Sequence, residues 1–258
     1  MSAKAKNITL NSILKDKTSG SSELLSKLNN YYLKTAGNPG LIRENIPLVK
    51  NELKDFAAIS NYLKKLDLVL RKNSSEELKK FLKDFSKEEE ETFNRIFIKC
   101  KKYLKGSNKI LTLSNSKTLL EVISRLQKEN KRLSVTICKS APGNEGIILG
   151  KKLSNKKIKT EIIHDSTASF YIQKSDAVII GADIILKSGN VVNKVGSRNA
   201  AVICKYYGIP FYVLASKEKL SNLQKYSSLK GKQKKNVTTP AHLFEEIDKK
   251  LITKTITE

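Results

Sequence analysis

From Lys109 onward the chain alternates short apolar runs with amphipathic stretches of helical spacing, and few architectures accept that order. The runs are 110–113, 133–138, 160–164, 177–180 and 210–214, and between them lie 118–127, 145–153, 167–173 and 198–207, bounded by Ser, Asn or Gly. Strand and helix in strict alternation predict a parallel sheet wrapped by helices through right-handed crossovers. Lys187, Ser188, Gly189 and Asn190 predict a tight turn, and with it a hairpin or excursion after the fourth strand.

Residues 1–105 carry a different period. Leu24, Leu28 and Tyr31, then Phe56, Ile59, Leu63 and Leu66, recur at three- and four-residue steps that predict helices over 21–34 and 46–70. Asn38, Pro39 and Gly40 predict a turn separating them. Ser74 with Glu77, ahead of Leu78, Phe81, Leu82 and Phe85, reads as a capping box opening another helix. Glu88 to Glu91 read as the first turn of a further one, where the helix dipole favours acid. The expected fold is α/β: a helical N-terminal domain over 1–105, followed over 106–258 by a Rossmann-like domain with the ligand pocket and dimer interface.

Composition removes several classes. The 258 residues hold three cysteines (Cys100, Cys138, Cys204) with no paired spacing, and two histidines (His164, His242), which excludes a disulfide scaffold or a zinc ribbon. All five are expected to be structural, with no metal and no cofactor. The opening residues hold no apolar run of the secretory kind, and nothing reaches the ~20 apolar residues of a membrane span. A soluble protein of a reducing, cytoplasmic compartment is expected, with no membrane partner. The 49 Lys+Arg against 25 Asp+Glu give a net charge of +24. Nucleic acid is therefore one partner class to weigh, through counterion release at the runs Lys151, Lys152, Lys156, Lys157, Lys159 and Lys217, Lys219, Lys225, Lys230, Lys232, Lys234, Lys235. The plainer reading of these runs is a solvated helix face and a loop.

In a parallel sheet, ligands gather where strand carboxyl ends meet helix amino termini. Ser114, Asn115, Ser116 and Lys117 follow the first run, Lys139 to Gly146 the second, and Gly181, Ala182 and Asp183 the fourth. Hydroxyls, glycines and lysines at helix starts suit a phosphate cradle, and equally serve as ordinary caps. A P-loop and a dinucleotide fingerprint are both absent from the sequence. Asp183, directly after the run 177–182, either caps the next element of the chain or sits where partial burial suits a carboxylate to proton transfer.

Gly181-Ala182-Asp183, Ser188-Gly189, the segment 191–196 with Asn193 and Lys194, and the segment 207–213 together resemble one family. It unites the alpha, beta and delta regulatory subunits of translation initiation factor 2B with ribose-1,5-bisphosphate isomerase and methylthioribose-1-phosphate isomerase. The likeness extends to 16–24 and to 244–247 with 251–253, and the chain resembles an archaeal-type member. The resemblance implies a helical domain followed by a Rossmann-like domain that dimerises, with Ser19, Gly20, Ser21, Ser116, Lys117, Asn193 and Lys194 as ligand-binding positions. The family's isomerases pair their aspartate with a cysteine after the first strand of the second domain; Ser114 stands at that place. An alcohol does not titrate near neutrality as a tuned thiol can. The family's arginine in a Ser-Arg-Pro context is Ala141 here, and Lys139 is the nearest cation to stand in for it.

Three functions follow as expectations. The first is a non-catalytic regulatory subunit that keeps a sugar- or nucleotide-phosphate pocket, forms a homodimer or larger assembly and associates with translation initiation factor 2. The second is a ribose-1,5-bisphosphate isomerase in which Asp183 moves the proton and Ser114 or a water fills the other role. The third is an RNA-binding module.

Overall fold

The computed structural model describes residues 8–227 and 243–258, together with a ribbon at 233–234 and 237–238. His242, Lys230, Lys232 and Lys235 lie outside the described residues. Five helices come first: α1 (Leu10–Leu14), α2 (Ser21–Lys34), α3 (Pro39–Glu52), α4 (Ala57–Arg71) and α5 (Ser75–Leu104). Short polar side chains set three of their starts. Thr9, Asn38 and Ser74 accept from the amides of Ser12 (3.3 Å), Leu41 (3.1 Å) and Glu77 (3.2 Å). The expected box at Ser74 is half made, because the Glu77 carboxylate pairs with Lys72 at 3.0 Å instead.

Three sequence expectations need correction. Asn38, Pro39 and Gly40 do not form a free turn: Asn38 caps α3 and Pro39 opens it, where a missing N–H costs nothing. The helical spacing over 46–70 spans two helices, broken between Glu52 and Ala57. Glu88 to Glu91 lie in the middle of α5, not in the first turn of a new helix. The helix continues because the acids are matched laterally, with Glu91 to Arg95 at 3.4 Å, Glu88 also on Arg95, Glu90 on Arg125, and Glu89 to Lys117 at 2.7 Å.

The second part is β1 (Lys109–Leu113), α6 (Lys117–Glu129), β2 (Ser134–Cys138), α7 (Glu145–Asn155), β3 (Lys159–Ile163), α8 (Ala168–Ile172), β4 (Ala177–Ile180), β5 (Ile184–Ile185), β6 (Val191–Lys194), α9 (Ser197–Tyr207), β7 (Phe211–Leu214), β8 (Gln233–Lys234), β9 (Val237–Thr238), β10 (Phe244–Ile247) and β11 (Lys254–Ile256). The main sheet has six parallel strands in the order β11-β7-β4-β1-β2-β3. Five were legible as apolar runs; the sixth, β11, is three residues, too short for alternation to show. The excursion after β4 is the hairpin of β5 and β6, which β10 extends into a second, antiparallel sheet.

Neighbouring strand residues face opposite layers, as a period of two requires. Ile110, Ala177, Ile179, Tyr212 and Leu214 pack under α5, α6 and α7, while Leu111, Val178, Ile180, Phe211 and Val213 pack under α8 and α9. A third core, built on Leu24, Leu28, Tyr32, Ile59, Tyr62 and Leu66, binds the first helices together. Helix α5 serves two of these cores: Leu78 and Leu82 join the helical one, and Ile96, Phe97, Cys100 and Leu104 join the sheet. That shared helix fixes the amino-terminal helices against the sheet's carboxyl end. Phe56 meets Phe244 edge to face at 5.7 Å on the same side.

Candidate functional site

Strands β1, β2 and β3 step outward in one direction, after which the chain returns to the other side of β1 to lay down β4, β7 and β11. The order therefore reverses between β1 and β4, and the carboxyl ends of those two strands flank the crevice where an open α/β sheet binds ligands. Ser114 follows β1 and Gly181-Ala182-Asp183 follows β4. Both segments line one cavity with Gly20, Ser21, Ser116, Lys117 and Asn193.

Local backbone chemistry places each group. Ser114 takes a left-handed conformation (φ 67°), and its amide donates to Ser140 Oγ at 2.6 Å, tying the loop after β1 to the loop after β2. The Asp183 amide donates to the Val192 carbonyl (2.9 Å), which anchors the carboxylate to the antiparallel sheet. Helix α2 enters end-on. Its N-cap is Gly20, and a Cβ there would lie 2.7 Å from the Asn115 carbonyl oxygen, so this close approach needs glycine.

That approach delivers Ser21 to the centre of the site. Its hydroxyl donates to Asp183 Oδ1 at 2.6 Å and accepts from the Lys219 ammonium. All three residues are buried, with Asp183 8% and Lys219 3% exposed. Burial pushes the Lys219 ammonium below its ordinary range, opposed by the carboxylates of Asp183 and Glu89. The space left is about 20 Å³, room for a single water. A larger cavity of about 350 Å³ shares Ser22 with it, but its lining joins Leu25, Tyr62, Phe81, Phe85 and Phe93 to the carboxylates of Asp84, Glu88, Glu89, Glu218 and Glu258, a surround unsuited to an anion.

Four other lysines around the site are also matched internally. Lys27 pairs with Asp16 (2.8 Å), Lys117 with Glu89 (2.7 Å), Lys152 with Glu23 (2.7 Å) and Lys194 with Glu145 (2.6 Å). Burial works against the Asp16 carboxylate, yet hydrogen bonds from Lys27, Thr18 and Ser19 hold it well below the usual range. Lys194 and Glu145 are 3% and 6% exposed, and Glu145 Oε2 has no hydrogen-bond partner among the described residues.

Of the positions singled out in the sequence, Ser114, Gly20, Ser21, Ser116, Lys117, Asp183 and Asn193 converge on the cavity. Ser116 caps α6, and the Asn193 amide donates to Ser197 Oγ at 2.9 Å. Ser19 stands outside the cavity lining, its hydroxyl accepting from Lys27 at 2.7 Å. Lys139 also stands outside it, with Nζ 3.2 Å from His164 Nε2. The loop it leads carries Ala141, whose amide joins that of Ser140 on the Asp165 carboxylate at 3.0 and 2.9 Å. Lys219 was missed. It belongs to a lysine run that reads as a solvated loop, and its one sequence signal was its place just past the carboxyl end of β7. Cys100, Cys138 and Cys204 are buried, and burial pushes each thiol up to about 12, with Asp165 adding to the effect on Cys138. None of these supplies a thiolate near neutrality.

Fold and site together define a doubly wound α/β protein with a helical cap, whose polar pocket sits at the switch point. Residues 10–258 match the sequence model of the Initiation factor 2 subunit family, and the chain belongs to that family. It is 39% identical over 106 residues to a translation initiation factor eIF-2B subunit 2-like protein of Pyrococcus horikoshii, covering 41% of this chain and 38% of that one. It is 32% identical over 120 residues to the ribose 1,5-bisphosphate isomerase of Archaeoglobus fulgidus, covering 46% and 38%. These alignments thus span well under half the length of the curated relatives. The crystal structure of the P. horikoshii translation initiation factor eIF-2B superimposes with a TM-score of 0.82 at 26% identity, covering 96% of this chain and 93% of that one. A 5-methylthioribose 1-phosphate isomerase from the same organism shares the fold, with a TM-score of 0.76 at 17% identity and coverage of 96% and 81%. Among the described residues, no helix is long and apolar enough to cross a membrane.

Proposed function

We propose that this chain is a regulatory, non-catalytic member of its family, which keeps an anion pocket of the sugar- or nucleotide-phosphate kind and acts through contacts with other proteins. The observation that carries the reading is the Lys219–Ser21–Asp183 chain. The carboxylate that would move a proton is already hydrogen-bonded to a side chain of α2, and the space beside it admits one water. Isomerisation of a pentose phosphate needs that carboxylate free to take the proton. It also needs a second titratable group, and the neighbouring position offers Ser114, an alcohol. The match to eIF-2B proteins supports the same reading. The expected partners are translation initiation factor 2 and further copies of this chain, joined through the α/β part. Pull-down with that factor and sedimentation of the pure protein test this. Retention of the factor and a dimer or larger species are expected; a monomer that ignores the factor refutes it.

One observation favours a second reading, an active ribose 1,5-bisphosphate isomerase. Ser114 and Asp183 line the same cavity, and relatives of that name match at 32% and 33% identity. On this reading Asp183 is released from Ser21 when substrate enters.

A further inference from the structure

We propose that the cleft bounded by α2, α4 and α5 binds a small organic cation, a linear polyamine whose ammonium groups are strung on a methylene chain. The inference is independent of the anion pocket, with which the cleft shares Ser22. Its volume of about 350 Å³ lies at the lower end of the roughly 300–1,000 Å³ that small-molecule sites occupy, so a slender ligand fits. The charge of its lining sets it apart from the rest of the molecule. In a chain with 49 Lys+Arg against 25 Asp+Glu, the cleft presents five carboxylates, Asp84, Glu88, Glu89, Glu218 and Glu258, and a single cation, Lys65. The acids still outnumber the bases when Arg95 and Lys117, which reach Glu88 and Glu89 from outside the lining, are counted with them.

Two features of the walls favour an organic cation over a metal ion. The floor of Leu25, Tyr62, Phe81, Phe85 and Phe93 offers apolar and aromatic surface, which takes up methylenes and attracts an ammonium through the ring quadrupole but gives a metal no oxygen. One of these rings already holds an ammonium of the chain itself, since Lys117 Nζ stands 5.4 Å from the Phe93 centroid. The carboxylates, for their part, are spread along the rim. Among the described residues, no group of three or more His, Cys, Asp or Glu converges as a metal site requires. Asp84 and Glu88 stand one turn apart on α5, about 6 Å along its axis, and an extended four-carbon chain sets its two terminal amines nearly that far apart. Acceptors remain open on both banks. Asp84 makes no ion pair or hydrogen bond among the described residues, while Glu88 and Glu218 meet Arg95 and Lys65 through Oε1 and leave Oε2 unbonded.

The test uses the full chain and spermidine as the probe, with affinity measured by calorimetry at fixed ionic strength. One spermidine per chain should bind saturably, against the repulsion that a net charge of +24 exerts on any cation. Asp84→Asn combined with Glu88→Gln is expected to weaken binding about tenfold, from the loss of two exposed charge contacts. Glu44→Gln, which removes an exposed acid on α3, should leave it unchanged. Asp84 and Glu88 are both exposed; should the double variant nonetheless fail to fold, Asp84→Asn alone, which breaks no contact, is expected to weaken binding about threefold. Absence of saturable binding, or affinity that survives in the acid variants, overturns the proposal. Displacement of spermidine by an equal concentration of magnesium also overturns it, since diffuse attraction to acid would suffice. So does capture of a lysine-rich peptide by a chain that ignores spermidine, which would make the cleft a protein-docking site.

Discussion

The buried chain of Lys219, Ser21 and Asp183 can be probed by removing its cation. Lys219→Met keeps an unbranched apolar stem of similar length and deletes the ammonium. In the parent, Lys219 is 3% and Asp183 8% exposed, and Ser21 Oγ bridges them, donating 2.6 Å to Oδ1. Lys219 and Asp183 are joined through Ser21 Oγ rather than in direct contact; removing one side of a direct buried pair costs about 3–5 kcal/mol, and the bridged arrangement sits at or below that range. Asp183 keeps its bond from the Ser21 hydroxyl, which places the expected loss near the lower end, at about 3 kcal/mol. With a urea m-value of about 3 kcal/mol/M, the unfolding midpoint falls by about 1 M. Adding Asp183→Asn removes the stranded charge, so the double variant should recover about 2 kcal/mol relative to the sum of the single effects. A loss below about 1 kcal/mol in the single variant, or strict additivity in the double, refutes the claim that this chain is a coupled buried unit.

Further outcomes follow from the same geometry. Ser114→Cys, which restores the thiol that the family's isomerases carry, is expected to give no turnover of ribose 1,5-bisphosphate, because the Lys219–Ser21 bridge still holds Asp183; ketose product in an NMR assay of this variant contradicts that. Gly20→Ala places a Cβ 2.7 Å from the Asn115 carbonyl oxygen and should cost about 1–3 kcal/mol as α2 is pushed off the site, seen as a lower urea midpoint; unchanged stability argues against the close approach. The three buried thiols titrate near 12 in the folded chain and near 9 unfolded, so the unfolded state loses protons first. Stability should be intact below pH 9 and fall as pH rises from 9 to 12, by up to about 1.4 kcal/mol per pH unit for each thiol. Replacing all three by Ala should make that limb of the urea midpoint against pH shallower, leaving the part that the buried Tyr32, Tyr62 and Tyr226 hydroxyls contribute above pH 10, and an unchanged limb contradicts the assignment.

Legible in the sequence was whatever depends on neighbours along the chain. The run 177–180 is buried at every residue in β4, and an apolar stretch ended by Gly181-Ala182-Asp183 announces both a central strand and a polar group at its mouth. The crossovers and the hairpin after β4 come from the same local patterns. The interior of the site does not. Ser21 reaches Asp183 across 162 residues and Lys219 reaches Ser21 across 198, and no local spacing records either meeting. Lys219 looks like its exposed neighbours until α2 arrives end-on to bury it. The acid block at Glu88 misled for a related reason. Glu89 and Glu90 find Lys117 and Arg125 on α6 while Glu88 and Glu91 share Arg95 within α5, so a feature that resembles a helix start is an ion-pair surface in the middle of α5.

A site assembled at the switch point, yet filled by its own side chains, should leave a sugar bisphosphate unchanged. The most direct measurement is incubation of the pure full chain with ribose 1,5-bisphosphate, followed by NMR for ribulose 1,5-bisphosphate. The starting aldose alone is expected after long incubation. Ketose that accumulates with the parent chain and vanishes in Asp183→Asn would contradict the account and establish the isomerase.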